Sequence, residues 1–175
     1  MTPDATEALQ RHVSPQTAAL LAERMTARDL TPDEALVGAG WPSTVLYLVL
    51  DGALDVVLEE VEGRVLVGHI GADTWVGEAG FLDRRGATAT VLATAPTHLL
   101  ALPRSDFDEL CTHHPAAASD LLRALTELLA SRILASSSGL LEEVSDHTFT
   151  LTHPAVTAGP FKRLLASLFG GHSNG

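Results

Sequence analysis

The stretch from Gly77 to Val91 concentrates residues that suit the binding of an anion. Gly77 has no side chain, so a ligand can approach its backbone closely. Residues 79–82 predict a single helical turn, whose free N–H groups favour negative charge. Arg84 and Arg85 follow in a short loop. Backbone N–H groups at the start of such a turn can bind an anion, so this stretch is a candidate anion site.

Short apolar segments separated by turns precede and follow this stretch. Their lengths and spacing are typical of strands in a sandwich, a jelly roll or a small barrel. Asp51-Gly52 has the composition of a hairpin turn between two of them. The predicted strands are residues 45–50, 54–58, 64–70, 88–93 and 98–102.

Helical patterns lie on both sides of these strands. Ser14-Pro15 is typical of a helix start, and we predict a helix over residues 15–28. A short helix is predicted over 105–113, and a longer one from Pro115 to about Ala135. The longer helix carries a wide stripe of leucines. That stripe predicts packing on the β body or pairing with the same helix of a second protomer.

The chain divides into three predicted parts. Residues 1–13 are an N-terminal extension, 14–135 form the main domain, and 136–175 form a C-terminal tail. The serines that start at Ser136 are expected to end the long helix. The tail has the pattern of a short strand over 147–153 and an amphipathic helix over 161–169, which could dock on a partner or on its own domain.

The stretch from Gly77 to Val91 resembles the phosphate-binding cassette of cyclic nucleotide-binding domains of the catabolite activator (Crp–Fnr) type. Other matches occur in the family's order: residues 45–54, Gly71-Ala72-Asp73 before the cassette, residues 99–107 after it, and His114-Pro115 at the last helix. The resemblance spans about residues 13–135. It implies a mainly β fold, a β-roll with an N-terminal helix and a long C-terminal helix.

The resemblance also implies a ligand site. Gly77, Glu78 and Ala79 match the cassette start, where the glutamate accepts a hydrogen bond from the ribose hydroxyl. Thr88 matches a second phosphate contact. Ala87 stands where the family has its phosphate-binding arginine. Hydrogen bonds to charged groups contribute about 1.5–3 kcal/mol, so this loss predicts binding weaker by about 10- to 150-fold.

Other residues of the chain could complete such a site. Arg84 or Arg85 could replace the missing guanidinium, although both also fit solvated loop positions. Ser136 and Ser137 could contact a base, because the end of the family's long helix approaches it. They equally fit a helix terminus and linker.

Two functions follow as alternatives. The first is a stand-alone regulatory sensor of cAMP or cGMP, which forms a homodimer through the helix at 115–135. The second is a domain that has lost its nucleotide and serves as a dimerisation or protein-interaction module. The tail offers a possible surface for a protein partner in either case.

Composition argues against several other classes. The net charge of −11 and the lack of a basic recognition helix disfavour DNA binding. His69 and His98 are isolated, so no metal site is predicted. No nucleophilic or P-loop motif is present, which disfavours an enzyme. With no long apolar run and one cysteine, a cytoplasmic protein without a membrane span is expected.

Overall fold

Two four-stranded antiparallel sheets form the body of the protein. The computed structural model describes residues 5–61, 63–84 and 86–145, with side chains as far as Ala135. The strands are β1 (Thr26–Leu30), β2 (Ala35–Val37), β3 (Val45–Asp51), β4 (Ala53–Glu60), β5 (Gly63–Gly71), β6 (Thr74–Val76), β7 (Thr90–Ala93) and β8 (Thr97–Pro103). One sheet has the order β1-β8-β3-β6 and the other β2-β7-β4-β5. The predicted β-roll is confirmed.

Helices lie at both ends of the strand sequence and in its middle. They are α1 (Ala5–Leu9), α2 (Pro15–Ala22), α3 (Glu78–Asp83), α4 (Arg104–His113) and α5 (Pro115–Ser145). α2 begins as predicted, with Pro15 at its first position and the Ser14 side chain accepting a hydrogen bond from the Thr17 N–H. None of the helices described here is long and apolar enough to cross a membrane.

The predicted helix over 15–28 is wrong beyond Ala22. Residues 26–30 form β1 instead and pair antiparallel with β8, from Thr26 opposite Ala101 to Leu30 opposite Thr97. The local sequence carries apolar residues at helical spacing, but hydrogen bonding to a neighbouring strand outweighs such weak preferences. α1, β2 and β6 are further elements that were not predicted from the sequence.

The serines after Ala135 do not end the long helix. α5 continues to Ser145, ten residues beyond the predicted end. A serine in a helix costs only a few tenths of a kcal/mol and a glycine about 1 kcal/mol relative to alanine. This short run therefore weakens the helix without ending it. The predicted strand at 147–153 and helix at 161–169 lie outside the residues that the structure describes.

Two buried clusters hold the fold together. The first lies between the sheet that contains β3 and the helices, and includes Trp75, Phe81 and Leu121. The second lies between the sheets, and includes Val49 and Leu54. α3 and α5 both contribute to the first cluster, so the cassette and the long helix share one core.

Candidate ligand-binding site

Gly77 has a backbone conformation that favours glycine. Its φ of 87° is left-handed, and it forms the N-cap of α3. A Cβ atom at this position would lie 2.9 Å from the Val45 carbonyl oxygen. The turn therefore needs glycine both for its conformation and for the close approach of β3.

Glu78, the first residue of α3, is a buried carboxylate with an ion-pair partner. Its side chain is only 9% exposed. The Arg132 Nη1 atom of α5 donates to Glu78 Oε1, and Nη2 donates to the Trp75 carbonyl oxygen at 3.0 Å. One guanidinium thus binds both the cassette helix and the strand that leads into it. A buried charge needs such pairing, because desolvation otherwise opposes it.

Arg132 lies on the buried face of α5. Leu121 and Leu125 on this face are fully buried, and Leu128 packs partly against the same cluster. Arg132 follows at the next helical interval, four residues on. The sequence reading did not single out this arginine. Its position could have indicated its role. A charged residue that continues the apolar stripe of a helix predicts a buried partner of opposite charge.

Ala87 sits in a fixed backbone position. Its N–H donates to the Trp41 carbonyl oxygen at 2.9 Å, and its carbonyl accepts from the Gly40 N–H at 2.8 Å. Its methyl group packs against the core between the sheets. Thr88 is exposed. Hydrogen bonds therefore hold the backbone at Ala87 in place, although the alanine side chain contributes no charge to the cassette.

Arg84 lies near a carboxylate of α4. Its guanidinium lies 3.9 Å from an Asp108 carboxylate oxygen. Both side chains line a cleft of about 460 Å³, whose lining does not include Glu78 or Ala87. The role of Arg84 as a substitute phosphate contact stays a prediction. Arg85 lies outside the described residues, as do the side chains of Ser136 and Ser137.

A second arginine holds the other end of α3. The Arg104 guanidinium donates to the Phe81 carbonyl oxygen and to Asp108. It also lies over the rings of Phe81 and Phe107, at 5.1 and 5.4 Å from their centroids. α3 is thus tied to α5 at its start by Arg132 and to α4 at its end by Arg104.

The two histidines of the β body each pair with one aspartate. His69 Nδ1 lies 2.6 Å from Asp55 Oδ1, and His98 Nδ1 lies 2.6 Å from Asp29 Oδ1. Within residues 5–61, 63–84 and 86–135, no group of three or more His, Cys, Asp or Glu side chains is arranged to hold a metal ion.

Comparison with known families fits this arrangement. The profile of the cyclic nucleotide-binding domain matches residues 27–114, which contain every strand of the roll from Ala27 onward and the whole cassette. The chain belongs to the cyclic nucleotide-binding domain family. Glutaminase 2 of Bradyrhizobium diazoefficiens is 27% identical over 132 residues, which cover 75% of this chain and 20% of that protein. The chain thus spans about a fifth of the length of that relative.

Solved structures show the same fold. A cyclic nucleotide-binding domain from Methylobacillus flagellatus superposes with a TM-score of 0.73 at 23% identity, covering 85% of each chain. The catabolite activator protein of Thermus thermophilus superposes with a TM-score of 0.63 at 26% identity, covering 79% of this chain and 63% of that one. The first of these neighbours is thus a cyclic nucleotide-binding domain, and the second is a catabolite activator protein.

Proposed function

We propose that this chain is a regulatory sensor domain for a cyclic nucleotide, cAMP or cGMP, and not an enzyme. The observation that carries the proposal is the start of the cassette helix. Gly77 is left-handed there, and Glu78 is buried with its carboxylate in an ion pair. A buried carboxylate is costly to keep, so its pairing supports a cassette that retains a polar centre.

Each cassette residue has a place in ligand recognition. The Glu78 carboxylate accepts a hydrogen bond from the ribose hydroxyl, while Gly77 and Ala79 allow the ligand to approach the backbone. Thr88 is exposed and can offer its hydroxyl to the phosphate. Because Ala87 supplies no guanidinium, we expect weaker binding than an arginine would give, by about 10- to 150-fold.

Dimerisation through α5 is part of the proposal. Ile133 and Leu134 are 49% and 68% exposed, and Leu122 is also exposed on this helix. Apolar side chains on one long helix favour pairing with a second copy. Since Arg132 ties this helix to the cassette, a ligand that contacts Glu78 differently would shift the position of α5.

Titration calorimetry of the purified protein with cAMP and cGMP at low ionic strength tests the proposed function. We expect saturable binding with a Kd in the micromolar range for at least one of them. Absence of heat up to millimolar ligand, with the protein shown to be folded by circular dichroism, would contradict it.

The Glu78–Arg132 pair also favours a second candidate, a domain that works without a nucleotide. The pair neutralises the cassette carboxylate with the protein's own side chain, so the fold needs no ligand to complete it. In that case the chain would serve as a dimerisation or protein-interaction module. It would be a dimer whose state does not respond to cAMP or cGMP.

Three further expectations stay predictions. The tail from residue 136 onward is a possible docking segment for a protein partner. The acidic net charge of −11 disfavours DNA as a partner of this chain alone. A cytoplasmic location is the third.

A further inference from the structure

A cleft lies at the opposite end of the cassette helix from Glu78. It has a volume of about 460 Å³, and its walls come from the loop between β2 and β3, the end of α3 and the start of α4. Glu78 is the first residue of α3, whereas Phe81 and Arg84 from the end of this helix line the cleft. A molecule bound in the cleft would therefore contact the cassette without touching Glu78.

The charged side chains of the cleft attract anions. Two guanidiniums, those of Arg84 and Arg104, line it together with one carboxylate, that of Asp108. The whole chain carries a net charge of −11, so a cleft with more cations than anions is a local exception. A positive field confined to one cleft concentrates anions at that place on an otherwise acidic surface.

Arg104 is ordered by contacts within the protein. Its Nε atom donates to Asp108 Oδ1 at 2.9 Å, and its Nη1 atom donates to the Phe81 carbonyl oxygen. The guanidinium also lies over the rings of Phe81 and Phe107. These contacts leave Nη2 as a donor for a ligand. Because the side chain is already held, an anion that binds it costs little further rotamer entropy.

Arg84 is exposed and only loosely paired. Its side chain is 70% exposed, and its guanidinium lies 3.9 Å from Asp108 Oδ1. Exposed pairs of this kind contribute little to stability, so an anion can replace Asp108 beside Arg84 at low cost. The backbone of Arg84 is left-handed, with a φ of 61°, a conformation that favours glycine. The guanidinium, and not the backbone, is therefore the group to which a role can be assigned.

We propose that this cleft is a second binding site, which takes a phosphate monoester between Arg84 and Arg104. Guanidiniums bind phosphate by charge-assisted hydrogen bonds. Ser43 and Thr44 of the β2–β3 loop also line the cleft and offer hydroxyl donors. A monoester has three terminal oxygens to accept from these groups, whereas a carboxylate has two. The volume of the cleft exceeds that of a phosphate ion, which leaves room for the group that carries it.

The site is independent of the proposed function. A cyclic nucleotide is a phosphodiester with two terminal oxygens and one charge, and its proposed contacts are with Gly77, Glu78, Ala79 and Thr88. The phosphate monoester would instead contact the far end of α3. Arg84 is thereby assigned to this second ligand and not to the nucleotide.

Titration calorimetry with glycerol 3-phosphate, inorganic phosphate and acetate, at constant low ionic strength, tests this proposal. The unmodified protein is compared with Arg84→Gly, Asp108→Asn and Arg64→Gln. Arg64 is the matched control, because it is also exposed and paired with one carboxylate, that of Glu59 at 2.9 Å, but lies on β5. Circular dichroism and thermal unfolding establish that each protein is folded.

We expect both phosphates to bind the unmodified protein saturably in the millimolar range, and acetate to bind more weakly. Arg84→Gly should raise the Kd about tenfold or more, through loss of a charge-assisted contact. It should not lower the Tm, because glycine suits the left-handed end of a helix. Asp108→Asn should lower the Kd about two- to five-fold, because both guanidiniums lose a competing carboxylate. Arg64→Gln should leave it unchanged.

The response of Asp108→Asn distinguishes this cleft from the cassette. A phosphate bound beside Glu78 would not respond to a carboxylate on α4, so an unchanged Kd for Asp108→Asn would overturn the assignment. Equal affinity of the Arg84→Gly and unmodified proteins would do the same, as would acetate that binds as tightly as phosphate. Binding of inorganic phosphate without glycerol 3-phosphate would overturn the monoester, and no binding of either phosphate would overturn the site. The proposed function is tested separately, with cAMP and cGMP.

Discussion

At the scale of single residues, Gly77 sets the geometry of the cassette. Replacing Gly77 with alanine forces a Cβ atom into a left-handed residue and to within 2.9 Å of the Val45 carbonyl oxygen. The conformation alone costs roughly 1–2 kcal/mol and crowding of a packed region typically another 1–3 kcal/mol. We expect Gly77→Ala to lower the free energy of unfolding by the sum of both, measured by urea denaturation.

Gly40→Ala is the matched control for this prediction. Gly40 has a similar φ of 79°, and a Cβ atom there would meet nothing within 4 Å. It should show only the conformational cost. Equal losses for the two variants would mean that the close approach of β3 to Gly77 contributes nothing to stability.

At the scale of elements, Asp120 joins α5 to the start of α2. The Ser14 N–H donates to Asp120 Oδ2 at 2.8 Å, and Arg123 Nη2 donates to Oδ1 at 2.9 Å. The Ser14 backbone hydrogen bond, together with the Arg123 contact and the hydroxyls of Ser14 and Thr17, holds the pKa of Asp120 well below its usual range, against the opposing effect of burial.

This shift predicts a pH dependence of stability. A lowered folded-state pKa stabilises the fold above the unfolded pKa of about 3.9, and the effect is lost as the pH falls through the folded value. We expect Asp120→Asn to lower the free energy of unfolding at pH 7 by about 1 kcal/mol, after allowance for solvent screening. The difference from the unmodified protein should persist down to about pH 5 and shrink below about pH 4.

Glu127→Gln provides the control for the Asp120 prediction. Glu127 pairs with the same Arg123 but is largely exposed, so this substitution should change stability little. A gap between the Asp120→Asn and unmodified proteins that stays constant from pH 7 to pH 3 would show that the carboxylate charge is not what joins the two helices.

At the scale of the whole molecule, α5 is predicted to link two copies of the chain. We expect sedimentation equilibrium to show a dimer. Replacing Ile133 and Leu134 together with serine should give a folded monomer, because both apolar side chains are exposed on this helix. Leu66→Ser removes an exposed apolar side chain from β5 instead and should leave the dimer intact. A dimer that survives the α5 double substitution would exclude this helix as the interface.

Much of this architecture follows from sequence, but the charge balance of the site does not. The strands around Asp51-Gly52 and the start of α2 at Ser14-Pro15 could be predicted, because turns and caps are local preferences. β1 could not, since its hydrogen bonds come from β8, about 70 residues later. The same holds for Arg132, whose partner Glu78 is brought near only when α5 packs on the roll. Long-range pairing of this kind is indicated in the sequence only indirectly, by a charged residue on an otherwise apolar helix face.

Titration with cAMP of the unmodified protein and of Ala87→Arg tests most directly whether this domain keeps a nucleotide site. We predict saturable binding by the unmodified protein and an affinity about 10- to 150-fold higher for Ala87→Arg, because a guanidinium returns to the cassette. Circular dichroism must show both proteins to be folded. Absence of binding by both folded proteins up to millimolar cAMP would contradict the claim that the domain keeps a nucleotide site.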